Sequence, residues 1–119
     1  MILLSDHRIR AVPVRESGEP LVRLPRRVAP TDALVRSSLA ERLLAADAAL
    51  PAGIHLRVAE GHRTLTAQRA IIAAYAEQVR AAHPGVTGAD LERLTSRFVA
   101  PVDVAPHVAG AAVDLTLVD

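Results

Sequence analysis

The apolar residues of this chain change their period along its length, and that change limits the folds open to it. Ile54, Leu56 and Val58 alternate with His55, Arg57 and Ala59, and the run closes at Glu60-Gly61. Val113, Leu115 and Leu117 alternate with Ala112, Asp114, Thr116 and Val118 in a second such run, from Ala111 to Val118. A period of two sends successive side chains to opposite faces of a strand. Elsewhere the spacing is helical. Thr31 and Asp32 open a stretch in which Leu34, Val35, Leu39, Leu43, Leu44 and Leu50 recur, ended by Pro51 and Gly53. Thr66 is the expected N-cap of a second helix through Ala82, with a stripe of Ile71, Ile72, Tyr75 and Val79, stopped by His83-Pro84-Gly85. A third helix is expected from Ala89 to Val99, where Thr87 and Asp90 resemble a capping box ahead of Leu91, Leu94 and Phe98. Strands and helices together predict a mixed fold.

The first 30 residues are broken by Pro13, Gly18, Pro20, Pro25 and Pro30, which predicts irregular chain with short strands around Ile9 to Val14 and Leu21 to Leu24. Pro101 and Pro106 bracket a loop. No repeat, low-complexity tract or linker divides the sequence, so residues 1–119 are expected to form a single domain.

Composition narrows the chemistry. With no cysteine, a disulfide framework, a thiolate metal site and a cysteine nucleophile are all excluded, and any metal must sit on His and carboxylates. All 14 basic residues are Arg, and Ala fills 23 of the 119 positions, a bias that matches GC-rich coding. A net charge of +1 offers no general attraction to nucleic acid or to an anionic membrane. The local run Arg23, Arg26 and Arg27 reads as a solvated face. The opening MILLSDHRIR lacks the apolar stretch of a secretory signal, and no segment approaches a membrane span, so a soluble, cytoplasmic protein is expected.

Two segments can carry chemistry. In Pro106-His107-Val108-Ala109-Gly110-Ala111-Ala112-Val113-Asp114, an imidazole on a loop precedes a glycine suited to a tight turn and then a strand bearing a carboxylate. A return of that kind can bring His107 and Asp114 to one ion, and both suit zinc when thiolates are missing. The alternative is a loop histidine and a strand aspartate paired with arginine. In mid-strand, Asp114 is costly to bury unless it meets a cation, a metal or several donors. The second segment, Glu60-Gly61-His62-Arg63-Thr64, turns from strand to helix, where loops on a rigid scaffold often hold functional groups. The Arg63 fork can hold a carboxylate or stabilise an oxyanion, or it can cap a carbonyl or pair with Asp114. His7, His55 and His83 have no useful partner spacing and read as surface or packing residues.

Together these segments resemble the VanX-like D-alanyl-D-alanine dipeptidases, a family of zinc D,D-peptidases. The resemblance runs from about Leu34 to the last residues. It takes in Glu60-Gly61-His62-Arg63, the helix with Gln68, and Ser96-Arg97-Phe98-Val99. Its most specific part is Pro106-His107 through Gly110 to Ala112-Val113-Asp114-Leu115-Thr116-Leu117. It implies an α+β fold with helices packed on a small, mainly antiparallel sheet, His107 and Asp114 as zinc ligands, and Arg63 as the group that polarises the scissile carbonyl of a small peptide. Two positions depart from the family pattern, His62 in place of a tyrosine and Thr64 in place of a proline.

A larger departure concerns the rest of the site. The family continues past the Asp-Leu-Thr-Leu strand to a Glu-x-x-His segment that supplies the general base and the third ligand, and no Glu here precedes a His by three residues. A catalytic zinc ordinarily takes three protein ligands and a water with a base nearby. The resemblance therefore implies the N-terminal half of a dipeptidase-like domain. On this reading a second polypeptide completes a split zinc dipeptidase as a heterodimer. The other reading is a non-catalytic peptide-binding or regulatory protein that keeps half of the fold; a fragment without an independent role is the third.

Overall fold

A computed structural model describes all residues, 1–119. It is α+β: four α-helices and two separate antiparallel sheets of two strands each. The chain divides into two compact units. No helix is long and apolar enough to cross a membrane.

One unit comprises residues 16–63 and 106–119. Its elements are β1 (Leu21–Arg23), β2 (Leu34–Arg36), α2 (Ser37–Ala49), β3 (His55–Glu60) and β4 (Asp114–Val118). Strand β1 pairs with β2, Val22 opposite Val35, and β3 pairs with β4. Leu24, Val28, Val35, Leu43, Leu56 and Val58 form the core, with Val28, Val35 and Val58 wholly buried. Full burial of one such side chain contributes about 1.5–3 kcal/mol. Asp47 ties α2 to β3: its buried carboxylate accepts the Leu56 N–H at 2.8 Å and faces Arg27 at 2.6 Å. The Leu56 hydrogen bond, with Arg27 behind it, holds the Asp47 carboxyl below its ordinary range. Arg23, Arg26 and Arg27 are exposed, and Arg23 meets Asp32 at 2.8 Å.

The expected helix from Thr31 begins later than its spacing suggests. Asp32 takes a left-handed φ of 59°, a conformation aspartate tolerates, and turns the chain back so that Leu34 to Arg36 pair with Leu21 to Arg23. Helix α2 then starts at Ser37. Its N-terminus is capped from a distance by Glu19, which accepts from the Ser38 N–H at 2.8 Å and from both the Ser37 and Ser38 hydroxyls at 3.0 Å. Those bonds bring the Glu19 carboxyl down to about 2.

The other unit comprises residues 1–15 and 64–105. It contains α1 (His7–Arg10), α3 (Leu65–Ala82), α4 (Gly88–Thr95) and a 3-10 turn, Val102–Val104. Residues 9–14 are not a strand as expected. Asp6 instead caps α1, accepting the Arg8 N–H. Thr64 rather than Thr66 caps α3, its hydroxyl accepting from the Ala67 N–H at 3.1 Å. Along α3, Gln68 and Val79 are buried and Ile71, Ile72 and Tyr75 half-buried. Tyr75 stacks on Phe98 with ring centroids 5.4 Å apart. Buried Gln68 donates to the Ala100 carbonyl at 2.7 Å, and α4 ends at Thr95, short of the expected Val99.

Candidate functional site

Three strand and loop segments of the sheet-containing unit meet at the end of β3. Gly61 passes so close to β2 that a Cβ there would collide with the Leu34 carbonyl oxygen, which also accepts the His62 N–H at 2.6 Å. Glycine is therefore required at this crossing by space. Next in the chain, the Arg63 N–H donates to the His107 carbonyl at 2.9 Å. The loop is held on its other side by Arg36, whose N–H donates to Gly110 O at 3.1 Å and whose Nε donates to Ala109 O at 3.0 Å. Gly110 closes the turn at φ 68°, where L side chains are strained. The loop is thus pinned on both flanks, and His107 is fixed in position.

The imidazole is oriented by a backbone group. His107 Nδ1 lies 2.9 Å from the Gly61 carbonyl oxygen, which can only accept, so Nδ1 carries the proton. In the neutral ring Nε2 then presents its lone pair, and it faces Asp114 Oδ1 at 3.6 Å. That separation is long for a hydrogen bond and close to the edge of a zinc tetrahedron, about 3.3 Å for arms of 2.0–2.1 Å. A proton on Nε2, a bridging water or a metal ion can each complement an imidazole nitrogen and a carboxylate at this separation. An outer carbonyl fixing the tautomer of a ligating histidine is the usual support of a metal site. The donor set therefore fits zinc at two positions. No group of three or more His, Cys, Asp or Glu side chains is arranged to hold a metal ion anywhere in the chain.

Asp114 does not stand in mid-strand as expected. It opens β4, with its side chain 63% exposed, and so avoids the cost of burial that a central position would carry. His107 beside it is only 16% exposed.

Arg63 is largely buried and forks onto Glu60, Nε to Oε1 at 2.7 Å and a terminal nitrogen to Oε2 at 2.6 Å. Such bidentate pairs fix the guanidinium plane as well as its position. The Arg63 hydrogen bonds hold the Glu60 carboxyl below its ordinary range despite partial burial, and Glu60 in turn raises Arg63. A bulge between Val58 and Glu60 sets Glu60 directly across from Asp114. Arg63, Glu60, His107 and Asp114 are thereby gathered at one sheet end. Sequence reasoning gave no role to Glu60 or to the Gly61 carbonyl. The signals for either were their place at the close of an alternating run and in the segment leading to Arg63, and neither pointed to a role.

No protein-family model and no curated protein matches this chain.

Proposed function

We propose that this chain carries half of a zinc dipeptidase-like site, with His107 and Asp114 as two ligands and Arg63 as the electrophilic group. The observation that carries the reading is the oriented His107 ring, its Nε2 turned to Asp114 while the Gly61 carbonyl holds Nδ1. When bound, zinc would supply an acidified water and polarise the peptide carbonyl. Arg63, steadied by Glu60, then offers N–H donors to the oxygen on which negative charge develops. The general base and the third ligand are absent from the gathered residues, and a second polypeptide with Glu-x-x-His is the proposed source. β4 offers a place for it: its outer edge carries no strand, and Leu115 and Leu117 stand exposed. The substrate class is a small dipeptide containing D-amino acids.

The test is hydrolysis of D-alanyl-D-alanine by the chain together with a Glu-x-x-His polypeptide encoded beside it. Turnover is expected only from the pair, with Arg63→Ala lowering kcat by about 100-fold, as loss of an oxyanion donor does. Glu60→Gln is expected to lower kcat with zinc content unchanged. A pair that retains no zinc and cleaves no dipeptide contradicts the reading.

One observation favours the non-catalytic alternative, a peptide-binding or regulatory protein: the Arg63 fork is already engaged by a carboxylate within its own chain. On that reading the pair binds the dipeptide without cleaving it. Ala at His107 or Asp114 then changes binding alone.

A further inference from the structure

The helical unit contains a cavity of about 470 Å³ that plays no part in the site above. It lies among α1, α3, α4 and the 3-10 turn, with Ile72, Leu91 and Val99 among its apolar walls. Volumes of this order are typical of small-molecule sites. The hydroxyls in its lining are already partnered: Thr95 donates to the Leu91 carbonyl at 2.7 Å, and the Ser96 hydroxyl lies 2.8 Å from both the Arg93 carbonyl and the Ser5 hydroxyl. No buried side-chain polar atom is left without a partner, so the interior asks for an apolar group.

The charges lie among the lining residues Arg10, Glu92 and Asp103. Arg10 bridges the two carboxylates, one terminal nitrogen pairing with Glu92 Oε1 and the other 3.2 Å from Asp103 Oδ2. One guanidinium against two carboxylates leaves a net charge of −1. Both carboxylates are more than half exposed, so each can meet a second cation from the solvent side. A ligand with an apolar body and a cationic head satisfies both parts of this cavity, whereas an anionic head of the same size meets net repulsion. We propose that the cavity binds a compact apolar amine, its body against Ile72, Leu91 and Val99 and its ammonium on the exposed side of the Glu92 and Asp103 carboxylates, away from Arg10.

The probes are 2-phenylethylamine and 3-phenylpropionate, similar in size and opposite in charge, titrated into the full chain and followed by amide chemical shifts in NMR. Saturable shifts centred on α4 are expected for the amine, with an affinity at least about fivefold above that of the carboxylate. The double variant Glu92→Gln, Asp103→Asn removes that preference. Ala76→Phe fills the cavity without altering its charge and abolishes amine binding, which keeps the test open if the double variant fails to fold. Equal binding of the two probes, no saturable binding of the amine, or amine binding that survives Ala76→Phe overturns the proposal.

Discussion

Strands β3 and β4 alternate in the same way and lie against each other, yet their apolar faces meet different surroundings. Leu56 and Val58 are buried, while their cross-strand partners Leu117 and Leu115 are 56% and 45% exposed. Directly opposed residues of an antiparallel pair share one face of the sheet, so all four side chains point to the core side. The cover ends between the strands. Helix α2 packs on β3, and the segment at Val28 runs along the edge of β3, where the Val28 carbonyl accepts the Val58 N–H at 2.7 Å. Alternation therefore reports which face is apolar, and only packing decides whether that face is covered. Here the uncovered stretch begins one residue after Asp114, beside the candidate metal pair.

The largest effect that separates the two strands is on stability. Leu56→Ala is expected to cost about 2–5 kcal/mol in urea unfolding, as truncations in a packed core do. Leu117→Ala, an equal change on the same face, should stay within about 0.5 kcal/mol. Similar losses for both would mean that β4 is covered and would remove the place proposed for a partner.

A smaller effect concerns the β1–β2 end of the same unit, where Glu19 caps α2. Its carboxyl titrates at about 2 against an ordinary 4.5. Because the folded value is lowered, this contribution is present in full above pH 4.5 and is lost as the pH falls toward 2. Glu19→Gln should flatten the dependence of the urea midpoint on pH in that window, and an unchanged slope would show that the cap is not formed.

Strand β3 was legible in the sequence because alternation, a Gly stop before it and a Gly stop after it all agreed. The start of α2 was not, since Leu34 and Val35 suit a helix stripe and a strand equally. Pairing with residues 13 positions earlier, across a turn that needs Asp32 at positive φ, decided between them. In the site, His107, Asp114 and Arg63 stood out in the sequence as a loop imidazole, a strand carboxylate and a strand-end arginine, and the structure gathers all three at one sheet end. The roles of Glu60 and Gly61 were hidden for a physical reason. Unbroken pairing would place Ala59 across from Asp114, and the bulge that brings Glu60 there has no mark in the local pattern. The use of the Gly61 carbonyl depends on a contact 46 residues away in sequence.

Calorimetric titration of zinc into the full chain asks whether His107 and Asp114 converge on one metal ion. One zinc per chain is expected, with His107→Ala and Asp114→Ala each weakening it by at least about tenfold and Leu117→Ala leaving it unchanged. Zinc binding of equal strength in the wild type and in both ligand variants would contradict it.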